Sequence, residues 1–173
     1  MNSGNPESLD ITVEAALRVS GLFLHPANAR ACYVLAHGAG AGMAHPFMAD
    51  IAEGLAQRAV ATLRYQFPYM ERGTRRPEPP PLARAMVLSA VAAVDRVWPD
   101  TPLIAVGKSF GDWMTSQSCC SGAGIRRRRI HTAHFFPIPL LCEHLLQIID
   151  IGSCFVLWQV GASDLFRFFK ATA

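Results

Sequence analysis

Charge is scarce in this sequence. Asp, Glu, Lys and Arg supply 17% of the residues, and the net charge is only +3. Four of the positive charges sit in one run, Arg126 to Arg129, which leaves the rest close to neutral. Such a chain has no broad basic face for nucleic acid. With 51% of residues apolar, it is not a disordered chain either. Zinc-type spacing is also missing: the cysteines at 32, 119, 120, 142 and 154 form no C-x-x-C pair. His131, His134, Cys142 and His144 could be grouped as a metal cluster, but in an apolar stretch they read as scattered polar residues. No metal and no cofactor are expected. An odd cysteine count with two neighbours fits reduced thiols in a cytoplasmic protein.

Leader and anchor signals are wanting as well. The opening "MNSGNPESLD" has no basic n-region followed by an apolar stretch, so no signal peptide is read. The most apolar window, 145–162, is broken by Gln147, Asp150, Gly152 and Gln159. A spanning helix needs about 20 largely apolar residues, so a helix end followed by a buried strand is the better reading. No internal repeat is present, and 173 residues suit one domain with a core of its own.

What is present is alternation. Residues 10–28 alternate apolar and polar and read as one or two opening strands. "ACYVLAHGAGAG", 31–42, is a short apolar run ending in glycines, the mark of a strand buried on both faces. Residues 45–59 have helical spacing, 60–69 return to strand, and 70–81 form a loop of prolines and charges. Residues 82–98 are the clearest helix, with Pro99 just beyond, and 101–109 give another short buried strand. Strand, helix, strand, helix, strand implies βαβ units, hence an α/β fold: a three-layer αβα sandwich with a mostly parallel central sheet. After Gln117 the pattern fails. "SCCSGAGIRRRRIHTAH" has neither helical nor strand period. "HFFPIPL" gives a weak strand, "LLCEHLLQII" helical spacing, and "SCFVLWQVGASD" a strand ending in a turn.

The chemistry gathers at Gly107-Lys108-Ser109-Phe110-Gly111, a G-x-S-x-G pattern behind a buried strand. By composition alone roughly one chain of this length in twenty carries it by accident, so the context matters. A sharp strand-to-helix turn holds such a serine in a strained backbone with its Oγ exposed. The amide of Phe110 and the start of the next helix then favour an oxyanion. "AHGAGAG", 36–42, places a second glycine turn at a corresponding strand end, and its amides in Gly38, Ala39 and Gly40 suit the same oxyanion. By itself that turn is a plain strand-to-helix loop. Ligands of open α/β sheets sit at the carboxyl ends of the strands, which makes the two turns one candidate site.

"VLAHGAGAGMAHPFM", "LRYQFPYME" and "VGKSFGDWMTSQ", in this order and spacing, resemble the α/β-hydrolase superfamily, and within it the small dienelactone-hydrolase-like branch of KANL3/Tex30-type domains. The chain then reads as a single α/β-hydrolase-like domain over 1–173. Residues 8–117 match well, 118–150 diverge, and 151–173 give a partial end. The resemblance implies a serine hydrolase acting on an ester or similar acyl bond of a small molecule. It makes Ser109 the nucleophile and His37 to Gly40 the oxyanion side.

Three departures bear on activity. Asp112 and Trp113 stand where the family has Gly and Arg, and a carboxylate there opposes an oxyanion. The stretch 118–150 reads either as a divergent loop or as the product of a local reading-frame shift. In this fold the order is Ser, acid, His. Asp164 in "QVGASDLF" is the candidate acid, with an ordinary turn aspartate an equal reading, and none of the nine residues after it is His. A chain impaired by loss of that histidine, truncated or turned to an interaction role, is the second reading; the hydrolase is the expectation for the family, and impairment the expectation for this polypeptide. A membrane or basic-patch binder built on Arg126–Arg129 is the third.

Among the other histidines, His45 before Pro46 suits a capping role, and nothing places His131, His134 or His144 near Ser109. Lys108 reads as a surface lysine. Arg64, Arg72, Arg75 and Arg76 form a loose basic set that would suit a carboxylate but read first as a solvated loop. The oligomeric state is open.

Overall fold

The computed structural model describes residues 5–14, 17–120 and 130–134. Six strands form one sheet in the order β1-β2-β4-β3-β5-β6. They are β1 (Glu7–Glu14), β2 (Leu17–Leu24), β3 (Ala31–Ala36), β4 (Val60–Tyr65), β5 (Leu103–Gly107) and β6 (Ile130–His134). The four central and late strands β4, β3, β5 and β6 run parallel, and the β1–β2 hairpin joins β4 antiparallel. The opening segment is therefore two strands, with a register shift between Thr12 and Glu14.

β3, β4 and β5 are buried along their whole length and mostly apolar because both faces are covered. Along β3, Cys32, Val34 and Ala36 turn to one face, where they meet Met86, Val87, Ala90, Val91 and Val94 of α3 (Pro80–Val97) and Met114 of α4 (Phe110–Cys120). Tyr33 and Leu35 turn to the other face and meet Met48 and Leu55 of α1 (Pro46–Ala56). The fold is the expected three-layer αβα sandwich. The buried stripe of α3, at 83, 86, 87, 90, 91 and 94, has the spacing of a core-facing helix. His45 caps α1, its Nδ1 accepting the Phe47 amide at 3.2 Å. Among the described residues no helix is long and apolar enough to cross a membrane.

Three expectations need correction. β4 ends at Tyr65, not at residue 69, and a single helical turn, α2 (Pro68–Glu71), follows it. The amide of Phe67 leaves the ladder for a side chain, and Pro68 has no amide to offer. The loop 70–81 is more than surface, since the carboxyl of Glu78 is buried against Arg72 at 3.0 Å.

The third correction concerns the stretch after Gln117, where regular structure persists. α4 runs to Cys120, and residues 130–134 form β6 beside β5. The end of α4 has little apolar period because its hydroxyls bond back onto the helix. Thr115 Oγ1 donates to Gly111, Ser116 Oγ to Asp112 and Ser118 Oγ to Met114, at 2.8, 2.9 and 2.7 Å. β6 is a strand because β5 offers it an edge, which no local pattern reports.

Candidate active site

The elbow is built mostly from backbone. Ser109 sits between β5 and α4 with φ +54°, a left-handed conformation that disfavours a side chain. It is exposed. The Lys108 amide donates to Ala36 at 3.0 Å, and the amides of Gly111 and Trp113 close the turn on Lys108 and Ser109. Both glycines of the motif are required by close approach. A Cβ at Gly111 would lie 2.6 Å from the carbonyl oxygens of Ala36 and His37, and one at Gly107 would collide with the backbone of Gly111 and Asp112. Phe110 opens α4, so its amide has no helical carbonyl to reach. Lys108 is exposed, its Nζ lying 4.3 Å over the Phe47 ring.

The second turn, 37–43, lies beside the elbow. A Cβ at Gly38 would stand 3.8 Å from that of Ser109 and 3.3 Å from the Lys108 oxygen. Unlike the elbow, this loop is held by side chains. His37 is fully buried. Its Nδ1 pairs with the Gly38 carbonyl at 2.8 Å, and its Nε2 accepts the Phe67 amide at 3.1 Å. That pattern requires the Nδ1–H tautomer. Burial lowers the pKa of His37 below its ordinary value, the Gly38 contact opposing only in part. His37 is thus a neutral clamp with both nitrogens engaged.

The segment after β4 supplies the other grips. Gly40 donates to Tyr69 Oη at 3.2 Å, Met43 to Gln66 Oε1 at 2.8 Å, and Arg64 to the Met43 carbonyl at 3.3 Å. Ala41 closes on Gly38 at 3.2 Å. The rings of His37, Phe67, Tyr69 and Phe110 pack together and bridge the loop to the elbow. This segment reads from sequence as strand and loop, and its role as the loop's anchor is not visible there.

The basic set divides. Arg64 is buried, contrary to the solvated-loop expectation, and burial lowers its pKa. Arg72 and Arg76 line a cavity of about 620 Å³ with Thr74, Pro77, Glu78 and Leu82. Burial raises the pKa of Glu78, against the pull of Arg72.

Of the expected site residues, the structure brings Ser109, Phe110, Gly38, Ala39 and Gly40 to one end of the sheet. Asp164, His144, Cys142 and Arg126–Arg129 lie outside the described residues. Of the described histidine side chains, His37 is a clamp, His45 a cap, and His25 stacks on Phe23 and against Trp98. β6 sets the backbone of His134 opposite Gly107, at the elbow end of the sheet, a placement the sequence did not suggest.

Solved structures share this fold. A dienelactone hydrolase from Anabaena variabilis superposes with a TM-score of 0.61 at 20% identity, over 76% of this chain and 63% of that one. An alpha-beta serine hydrolase homologue from Coxiella burnetii gives 0.59 at 12%, over 76% and 64%. A putative alpha/beta hydrolase from Agrobacterium tumefaciens gives 0.59 at 19%, over 75% and 58%. The chain thus covers less than two thirds of the length of each of these. No curated protein matches the sequence. With a strained serine turn, a glycine loop beside it and the sheet order to hold both, the match of the alpha/beta hydrolase domain family to residues 29–142 completes the case: the chain belongs to that family.

Proposed function

We propose that this chain is a serine hydrolase of the α/β-hydrolase superfamily, of the dienelactone-hydrolase-like, KANL3/Tex30-type branch, acting on an ester or similar acyl bond of a small molecule in the cytoplasm. Ser109 is the nucleophile. The Phe110 amide and the loop that begins at Gly38 hold the oxyanion, Asp164 is the acid, and the catalytic histidine that this order calls for has no counterpart after Asp164, which leaves the activity of this chain impaired. The observation that carries this reading is the positive φ of an exposed Ser109 beside the glycine loop, the arrangement that acyl transfer needs.

The test is phosphonylation by a fluorophosphonate probe, read by mass spectrometry. Ser109 is expected to carry the adduct, and Ser109→Ala to carry none. A folded wild-type chain that takes no label overturns the reading.

A second reading, an α/β-hydrolase-like protein with an interaction role, has one observation in its favour. The side chains of His25, His37 and His45 are all engaged elsewhere, and without a base a serine is a weak nucleophile. Failure to label would favour it.

A further inference from the structure

We propose that Tyr69 is the positioning residue of the oxyanion loop: its phenol oxygen holds Gly40, which leaves Gly38 and Ala39 to serve Ser109. The amide of Gly40 points to Tyr69 Oη at 3.2 Å. An N–H has one hydrogen to give, so this amide is taken before any oxyanion forms.

One other bond spans that point, the Ala41 amide closing the turn on the Gly38 carbonyl at 3.2 Å. Ala39 and Gly40 are exposed, Gly40 has φ +74°, and a Cβ built there would meet nothing within 4 Å. That bond shapes the turn but does not tie it to the rest of the molecule, and no side chain packs on it at Gly40, so its placement calls for a hydrogen bond to a rigid partner outside the loop. Tyr69 is such a partner. It is fully buried, its ring lies among those of His37, Phe67 and Phe110, and its carbonyl accepts both the amide and the hydroxyl of Thr74 at 2.9 Å. Burial raises the pKa of the phenol, with the Gly40 contact opposing and Glu78 adding to it. The group stays a neutral hydroxyl at physiological pH. Donors fixed in advance of the reaction need no reorganisation when charge develops.

The catalytic half of this inference rests on Ser109 as nucleophile, and the structural half does not. The test is Tyr69→Phe in the full chain, which keeps the ring and removes the oxygen. Hydrogen exchange of the Gly40 amide, followed by NMR, should speed at least tenfold, on the order expected when a local bond is lost. The Phe67 amide, held by His37, should not change. With the fluorophosphonate, the maximal inactivation rate should fall by about tenfold while the probe's binding constant holds, since an oxyanion donor acts on the transition state. Unchanged Gly40 exchange overturns the proposal. Faster exchange with an unchanged inactivation rate overturns the positioning role. An unlabelled wild type counts against Ser109 alone, and Gly40 exchange still decides whether Tyr69 holds the loop.

Discussion

Two glycine turns stand side by side at the carboxyl ends of β3 and β5, and they are held by different means. The elbow at Ser109 is fixed by backbone against backbone: Lys108 on Ala36, Gly111 against Ala36 and His37, Gly107 against the first turn of α4. The loop 37–43 is fixed by side chains, His37 of its own and Arg64, Gln66 and Tyr69 of another segment. Backbone contacts fail only when a residue gains bulk, and side-chain contacts fail when a residue loses it. The two turns should therefore break under opposite kinds of substitution.

The largest effect is expected at the elbow. Gly111→Ala would put a methyl 2.6 Å from the carbonyl oxygens of Ala36 and His37. Those atoms are main chain and cannot rotate away, so the loss lies at the upper end of overpacking, about 3 kcal/mol. A denaturant titration would show a lower midpoint with an unchanged slope. A shift under half that size would mean that the turn has room to relax and is not held by backbone contact.

The loop should break by truncation. His37→Ala would strand the Phe67 amide in a buried site and leave the Gly38 carbonyl with the Ala41 amide alone, a loss of about 2 kcal/mol. His37 also gives the loop a pH dependence. Burial depresses its folded-state pKa below the ordinary 6.5, so below that value the unfolded chain binds the proton more readily. The clamp's contribution is complete above pH 6.5 and declines as the pH falls through the depressed native value. Within that window its slope is at most about 1.4 kcal/mol per pH unit. The difference between wild type and His37→Ala, titrated from neutral pH downward, isolates that slope. Parallel curves would mean that His37 is not held neutral.

The same contrast explains what the sequence reveals and what it hides. The elbow's constraints are local, so glycine, serine and glycine at fixed spacing announce it. The loop's partners stand 29, 23 and 21 residues away in Tyr69, Gln66 and Arg64, and no window of the chain relates them. Residues 63–71 resemble the superfamily as a segment, yet their job as a grip on the loop emerges only when β4 lies next to β3. The sandwich is legible because three apolar runs alternate with two stretches of helical spacing. The end of α4 and β6 are not, because one satisfies its hydroxyls within the helix and the other depends on an edge made by β5.

Lys108 gives the smallest effect and the finest test of the comparison. It occupies the middle of the elbow motif, yet the contacts that shape the turn use its backbone amide and carbonyl. Its side chain is exposed and reaches away to the Phe47 ring, 4.3 Å from Nζ to centroid. An exposed cation over an aromatic face contributes about 0.5 kcal/mol. Lys108→Met should therefore cost about that much, and the fluorophosphonate should react at the wild-type rate, because no backbone contact of the turn has changed. A tenfold fall in that rate at unchanged stability would put the ammonium in contact with the reacting group, and the elbow would then depend on a side chain as the loop does.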